Sequence, residues 1–219
     1  MNVFDIVGPI MVGPSSSHTA GAARIGFIAG LLLGEPAVCA EIKLYGSFFK
    51  TYQGHGTDKA IVAGILGMKP DNPKLRDSLE IAKAKNLSIT ISQANLENAH
   101  PNTAVITLYD AGGKSVSIQG ASVGGGNVEI TRINNQPVSF TGQYVTLVVI
   151  HRDVPGTIAK VTEKLSARRV NICNFRLSRN QKGGTAVMTI EVDGTLDRDV
   201  NDSIMKLPNI LHSTLIMPN

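Results

Sequence analysis

Hydroxyl side chains and a histidine are crowded into VGPSSSHTAGAARIG, residues 12–26, near the start of the chain. Serine and threonine oxygens cap helix N–H groups, and the start of a helix also attracts carboxylates and phosphates. A cap explains one or two hydroxyls, but not four beside a histidine. We therefore interpret the stretch as a cradle for an anionic ligand next to His18, formed by Ser15, Ser16, Ser17 and Thr19.

Two further histidines lie where loops meet helices or strands. His55 stands between glycines in GHGT, and His100 precedes a proline in HPNT. Neither falls on an apolar stripe, so burial in a core does not account for them. Imidazole titrates near neutral pH and suits acid–base catalysis, but it is also a zinc ligand. Both interpretations stay open, although no H-x-x-x-H or H-E-x-x-H spacing favours zinc.

Two other patterns near these residues have ordinary alternatives. A reactive serine in SSSHT would need a strained turn or a separate base, and the chain has no G-x-S-x-G. A histidine that is merely adjacent in sequence does not indicate a triad. In SVGGG, residues 122–126, the glycines allow close backbone approach to a ligand, but they equally suit a bulge or a turn.

The surrounding residues predict helices alternating with strands. Ser17 or Thr19 is placed to cap a helix that runs to about Leu33. Five stretches read as strands, namely AEIKLYG, LSITI, TAVITLYD, KSVSIQG and GGGNVEITRIN. We therefore expect an α+β protein whose first domain, residues 1–136, mixes helices and strands. The polar segment 137–143 reads as a linker.

The pattern restarts at residue 144 and continues to residue 219. YVTLVVIH is an apolar strand, a helical stripe follows, and two more strands, a helix and a final strand complete a βαββαβ order. This order is the ferredoxin-like arrangement. The stretch HRDVPGTIAKVTEKLSARRVNI resembles the start of an ACT domain, a small-molecule regulatory module. The resemblance implies an effector site at Asp153, Pro155, Gly156, Thr157, Ile158, Asn171 and Ile172. The alternative is a domain used only for packing or for pairing two copies.

Composition excludes several classes of protein. The net charge is +4, aromatic residues make up 5% of the chain and the basic residues are scattered, which argues against a nucleic-acid binder. No apolar run approaches the roughly 20 residues of a membrane span. Two cysteines without C-x-x-C spacing favour a reducing, cytoplasmic setting.

Taken together, the motifs resemble one family over nearly the whole chain. FDIVGPIMVGPSSSHTAGAARIG, YGSFFKTYQGHGTDKAIVAGILG, HPNT and SVGGGNVEI, followed by the ACT-like tail, resemble the beta subunit of the iron–sulfur-dependent L-serine dehydratases. This family of L-serine ammonia-lyases acts in amino-acid catabolism and gluconeogenesis, converting L-serine to pyruvate and ammonia. The resemblance also implies that the first domain is similar to the allosteric substrate-binding domain of some phosphoglycerate dehydrogenases.

The resemblance implies roles for the residues in the matching motifs. His18, His55 and His100 would be catalytic and line the serine site. Substrate binding would involve Ser15, Ser16, Ser17, Thr19, Gly124, Gly125, Gly126 and Asn127. Which histidine takes the α-proton, and whether serine is preferred to threonine, the sequence does not tell.

The resemblance also implies a partner and a cofactor. The four-iron four-sulfur cluster would be held by an alpha subunit, because two cysteines are too few for the usual thiolate set. We expect no metal ligands in this chain, activity only with the alpha subunit, and pairing of two copies through the ACT-like domain. The alternatives are a non-catalytic amino-acid sensor or regulatory subunit, and a histidine-ligated metallohydrolase.

Overall fold

The computed structural model describes residues 10–218, so the FDIVGP part of the first motif lies outside the described residues. The chain forms two compact units, one up to Asn134 and one from Asn135 onwards. The predicted division into residues 1–136, 137–143 and 144–219 differs slightly from this split. Residues 137–140 of the predicted linker belong to strand β6, Gln136–Phe140. The predicted domain limits stay a prediction.

The first helix begins with an unusually wide turn. Residues Ser17–Gly21 form one π-helical turn, which continues into α1, Ala22–Leu33, and ends at Gly34 as predicted. The prediction that Ser17 or Thr19 caps this helix is wrong, because both lie inside the turn and a cap must stand outside it. Instead, the Ser15 hydroxyl accepts a hydrogen bond from the His18 N–H at 3.3 Å.

A mixed sheet and a layer of helices build the first unit. The sheet places its strands in the order β2, β1, β3, β4, β5, with β1 and β2 parallel and the other pairs antiparallel. The strands span Ala37–Leu44, Ser88–Gln93, Thr103–Asp110, Ser115–Gly124 and Asn127–Ile133, numbered β1 to β5. The remaining helices are α2, Gly46–His55, α3, Thr57–Ile65, and α4, Ser78–Ala84.

Small residues let α1 lie directly against α3. A side-chain carbon placed on Gly26 would come within 2.1 Å of the Ile61 carbonyl, and one on Gly64 within 2.0 Å of the Ala23 carbonyl. The run of alanines and glycines after His18 therefore serves helix packing. Because α3 directly follows α2, this packing also holds α2 in place beside the start of α1.

The second unit has the βαββαβ order predicted from the sequence. Its sheet has the order β10, β7, β9, β8, and every neighbouring pair is antiparallel. Its core contains Leu147 and Val149 of the central strand β7, together with Val161 of α5 and Ile204 of α6. The elements that follow β6 are β7, Val145–Arg152, α5, Thr157–Ser166, β8, Ile172–Arg179, β9, Thr185–Val192, α6, Arg198–Met205, and β10, Ile210–Ile216. None of the described helices is long and apolar enough to cross a membrane.

Candidate active site

Two of the three predicted histidines meet in the first unit. The rings of His18 and His55 stand edge to face, with 4.7 Å between centroids. His18 comes from the π-helical turn and is 7% exposed, whereas His55 is the last residue of α2 and is exposed. The Phe48 ring packs on the other side of His18 at 5.2 Å. One buried and one accessible imidazole therefore form a pair at the surface of this unit.

Hydroxyl groups face both ring nitrogens of His18. The Ser15 hydroxyl lies 3.3 Å from Nδ1. On the opposite edge, Thr51 Oγ1 lies 3.1 Å and Ser47 Oγ 3.4 Å from Nε2. Both of these residues belong to α2. The buried histidine is therefore held in orientation from both edges of its ring.

The surroundings of His18 favour its neutral form. Burial lowers its pKa most, the nearby His55 imidazole lowers it further, and hydrogen bonding with the Ser47 backbone acts in the opposite direction. A neutral imidazole at physiological pH carries a lone pair and can accept a proton. This arrangement suits a general base.

His100 lies in the loop before β3, and this loop contacts the start of α2. It is exposed, and its Nδ1 accepts a hydrogen bond from the Asn102 N–H at 3.1 Å. The next residue, Pro101, accepts a hydrogen bond from the Phe48 N–H at 3.3 Å through its carbonyl. The loop is therefore fixed to the start of α2, whose Phe48 packs on His18. The structure brings the HPNT loop to this region without a contact between His100 and the His18–His55 pair.

The glycine-rich segment forms the turn between β4 and β5. Gly124, Gly125 and Gly126 all have positive φ, at 105°, 61° and 83°, which accounts for three successive glycines. Two residues before the turn, Ser122 is buried against the π-helical turn, because a side-chain carbon on Gly21 would lie 2.1 Å from Ser122 Oγ. The exposed Asn127 opens β5. Substrate binding by these four residues, 124–127, stays a prediction.

The four predicted cradle hydroxyls have different surroundings. Ser15 contacts the His18 ring, and Ser16 and Ser17 are half-buried. Thr19 is 1% exposed, and its buried hydroxyl has no hydrogen-bond partner within the described residues. Of the four, Ser15 is the one that the structure joins to His18 by a side-chain hydrogen bond.

Helix α2 supplies two residues of the candidate site, Ser47 and Thr51, that were not predicted from the sequence. Together with the predicted His55 they are spaced by four residues, which places all three on one face of a helix. This spacing is a usable signal, but it becomes visible only if GSFFKTYQGH is predicted to be helical. The segment was not predicted as a helix, since it carries two glycines and few strong helix formers.

The predicted effector residues of the second unit fall into two groups. Asp153, Pro155, Gly156, Thr157 and Ile158 surround the start of α5. Within this group, the Asp153 carboxylate accepts hydrogen bonds from Arg179 Nη1 at 2.5 Å and from the Gly183 N–H at 3.1 Å. These contacts lower the pKa of Asp153, with the Gly183 N–H contributing most.

The other two predicted effector residues lie along a different groove. Asn171 and Ile172 line it together with Ala159, Leu165, Arg169 and Val170. The Asn171 amide donates a hydrogen bond to Asp193 at 2.6 Å. No residue from 153–158 lines this groove within the described part of the chain. A single effector pocket made by all seven predicted residues is therefore not formed in one copy of the unit.

The described residues do not fit an iron–sulfur cluster. Cys39 lies in β1 of the first unit and Cys173 in β8 of the second, and both are free thiols. Across residues 10–218, no three His, Cys, Asp or Glu side chains are grouped so that they could hold a metal ion.

Two family models match stretches of the chain, one in each unit. A model of the serine dehydratase beta chain matches residues 2–86, and a model of the AHAS small subunit-like ACT domain matches residues 147–212. A solved ACT domain from the GTP pyrophosphokinase of Chlorobium tepidum is 17% identical and covers 32% of this chain and 94% of its own, with a TM-score of 0.26.

Full-length relatives extend these matches to nearly the whole chain. A probable L-serine dehydratase beta chain of Bacillus subtilis is 42% identical over 98% of this chain and 97% of its own length. An L-serine dehydratase beta chain of Peptoniphilus asaccharolyticus is 36% identical over 93% of this chain and 92% of its own. A D-3-phosphoglycerate dehydrogenase of Methanocaldococcus jannaschii is 32% identical over 59% of this chain and 24% of its own. The chain therefore belongs to the family of L-serine dehydratase beta chains and carries a C-terminal ACT domain.

Proposed function

We propose that this chain is a subunit of an L-serine ammonia-lyase and contributes active-site histidines to the conversion of L-serine to pyruvate and ammonia. The observation that carries the proposal is the pair formed by His18 and His55, with 4.7 Å between ring centroids. Family membership indicates the reaction, and the paired imidazoles are groups that can accept and donate the α-proton of serine. His100, on the loop fixed to the start of α2, completes the proposed catalytic set.

The reaction needs a group that accepts the α-proton of serine. The Cα–H bond breaks, its electron pair forms the Cα=Cβ bond as the hydroxyl leaves, and hydrolysis of the resulting enamine releases ammonia and pyruvate. A neutral imidazole is suited to the first step. Burial keeps His18 in that form, while the exposed His55 is accessible to a ligand. Ser15, Ser16, Ser17, Thr19 and residues 124–127 are the proposed substrate-binding residues.

The proposed cofactor and partner lie outside this chain. The beta-chain designation of its relatives implies an alpha subunit, and we propose that this partner holds a four-iron four-sulfur cluster. The described residues offer no matching ligand set, so the proposed contribution of this chain is to bind serine and to move its proton. A heteromer in the cytoplasm is consistent with two free thiols.

Reconstitution tests the proposed function. The chain and a cluster-bearing alpha subunit are co-expressed without oxygen, and pyruvate formation from L-serine is measured for the pair and for each subunit alone. We expect activity only from the pair, and loss of activity on replacing His18 or His55 with alanine. A stable complex without activity would favour a regulatory role, and unchanged turnover of His18→Ala would remove this histidine from catalysis.

We further propose that the ACT domain binds an amino-acid effector at the start of α5. Thr157 Oγ1 is buried there without a partner among the described residues, and so is His151 Nε2 near the end of the preceding strand β7. Free N–H groups at a helix start favour a carboxylate. Because Asn171 and Ile172 lie in a separate groove, we propose that they contribute through a second copy paired at the ACT domain.

Tight binding of L-serine by the full chain alone, without any activity in the reconstituted pair, would instead indicate a sensor.

A further inference from the structure

The proton on the His18 ring can be located from the groups that face it. The Thr51 hydroxyl has a single proton, and it donates this proton to the Ser47 carbonyl at 2.9 Å. The same oxygen lies 3.1 Å from His18 Nε2. With its proton on this carbonyl, the Thr51 hydroxyl can only accept at the contact with Nε2. In this arrangement Nε2 carries the ring proton.

A second hydroxyl of α2 faces the same nitrogen. Ser47 Oγ lies 3.4 Å from His18 Nε2 and can accept a hydrogen bond from it. Two hydroxyl oxygens on one helix thus face the same edge of the imidazole.

The opposite edge of the ring is arranged as an acceptor. In a neutral imidazole with its proton on Nε2, Nδ1 carries the lone pair. Ser15 Oγ lies 3.3 Å from Nδ1 and receives the His18 backbone N–H at 3.3 Å. The hydroxyl oxygen is thereby occupied by a donor, which leaves its own proton free to point at Nδ1. Among the described residues, His55 is the titratable group whose charge acts on this ring.

We propose that Thr51 is a positioning residue that holds His18 with its proton on Nε2, so that Nδ1, on the side of Ser15, is the atom of His18 that accepts a proton during the reaction. This inference rests on the proposed function, because it concerns the same histidine pair. It adds a specific residue on α2, a specific tautomer and a specific accepting atom. After transfer, the imidazolium carries N–H groups at both nitrogens and still donates to Thr51.

The test compares three variants in the reconstituted pair. Thr51→Val removes the hydroxyl at nearly constant size, and Thr51→Ser restores it. Thr162→Val is a matched control, because the Thr162 hydroxyl also bonds back to a carbonyl four residues earlier, at 3.1 Å, in the second unit. We expect Thr51→Val to lower kcat by about 10- to 100-fold with KM nearly unchanged. Thr51→Ser and Thr162→Val should stay close to the wild-type kcat.

A spectroscopic measurement separates positioning from a loss of folding. Long-range proton–nitrogen correlation of the full chain with labelled histidine shows which ring nitrogen is protonated, and the His18→Asn spectrum assigns the His18 signals among the five histidines. We expect protonation at Nε2 in the wild type and a mixture of tautomers in Thr51→Val. Either a wild-type kcat or an unchanged tautomer in Thr51→Val would overturn this inference. Unchanged turnover of His18→Asn would instead overturn the proposed function.

Discussion

Two histidines are buried in this chain, one in each unit, and their surroundings differ. His18 is 7% exposed, hydroxyls face both ring nitrogens, and a second imidazole stands against it. His151 is 1% exposed, donates from Nδ1 to the Arg152 carbonyl at 2.7 Å, and has no partner for Nε2 within the described residues. Burial alone therefore does not explain why His18 is the proposed catalytic histidine. What distinguishes His18 is a set of partners that fixes its ring beside an accessible imidazole.

The largest expected difference between the two histidines is in turnover. Asparagine at either position keeps a polar atom near the place of Nδ1 but removes the basic ring. We expect His18→Asn to lower kcat of the reconstituted pair by about 10²- to 10⁴-fold, the usual contribution of a general base. His151→Asn should leave kcat within about twofold of the wild type, because its ring lies in the ACT domain. Steady-state pyruvate assays of both variants measure this contrast, and equal losses would contradict it.

The His18–His55 contact should appear in the pH dependence of kcat. The His55 imidazole lowers the pKa of His18, so His55→Gln should raise it. A base acts only when deprotonated, and activity is lost as pH falls through its pKa. The acidic limb of the profile should therefore move to higher pH in His55→Gln, in addition to a fall in kcat of about 10-fold or more. A limb that stays in place would show that His18 is not the group titrating there.

A backbone change next to His55 should have a smaller effect, on stability. Gly56 ends α2 with φ +68°, and open space surrounds it. Gly56→Ala should lower the unfolding free energy of the first unit by about 1–2 kcal/mol, because alanine is strained in the left-handed region. Gly54→Ala, inside α2 and equally unobstructed, should raise it by about 0.5–1 kcal/mol. Chemical denaturation measures the unfolding free energy of both variants. If it fell in both, lost contacts rather than backbone strain would explain the effect of Gly56→Ala.

The sequence predicted the elements better than it predicted how the site is held. In the ACT-like half, an apolar run identified β7 and alternation identified β9, and both strands are buried along nearly their whole length. SSSHT and GHGT singled out His18 and His55, whose rings the structure brings together, since polar residues between glycines are unusual in a packed core. Thr51 was not found, because its role depends on α2 lying against the π-helical turn, a contact set by tertiary packing. The cap was misplaced for a similar reason: the wider turn draws Ser17 and Thr19 into the helix.

The smallest expected effect concerns the start of α5 in the ACT domain. Gly156 and Thr157 begin this helix as Gly56 and Thr57 begin α3, and both threonine hydroxyls are buried without a partner in the described part of the chain. Thr157→Val should therefore keep or raise the stability of the second unit, by about 1 kcal/mol at most, because it removes a buried unpaired hydroxyl.

Ligand-binding measurements test whether the Thr157 hydroxyl serves to bind an effector. If it serves an effector, calorimetric titration of the full chain with L-serine and other amino acids should show binding that is weakened about tenfold in Thr157→Val, the loss of roughly one hydrogen bond. Thr157→Ser, which retains the oxygen, should bind like the wild type. Identical binding by all three proteins would place any effector away from the start of α5. In that case the unpaired polar atoms of His151 and Thr157 would simply result from packing in the ACT domain. The surroundings of His18 would then be functional, and those of His151 only structural.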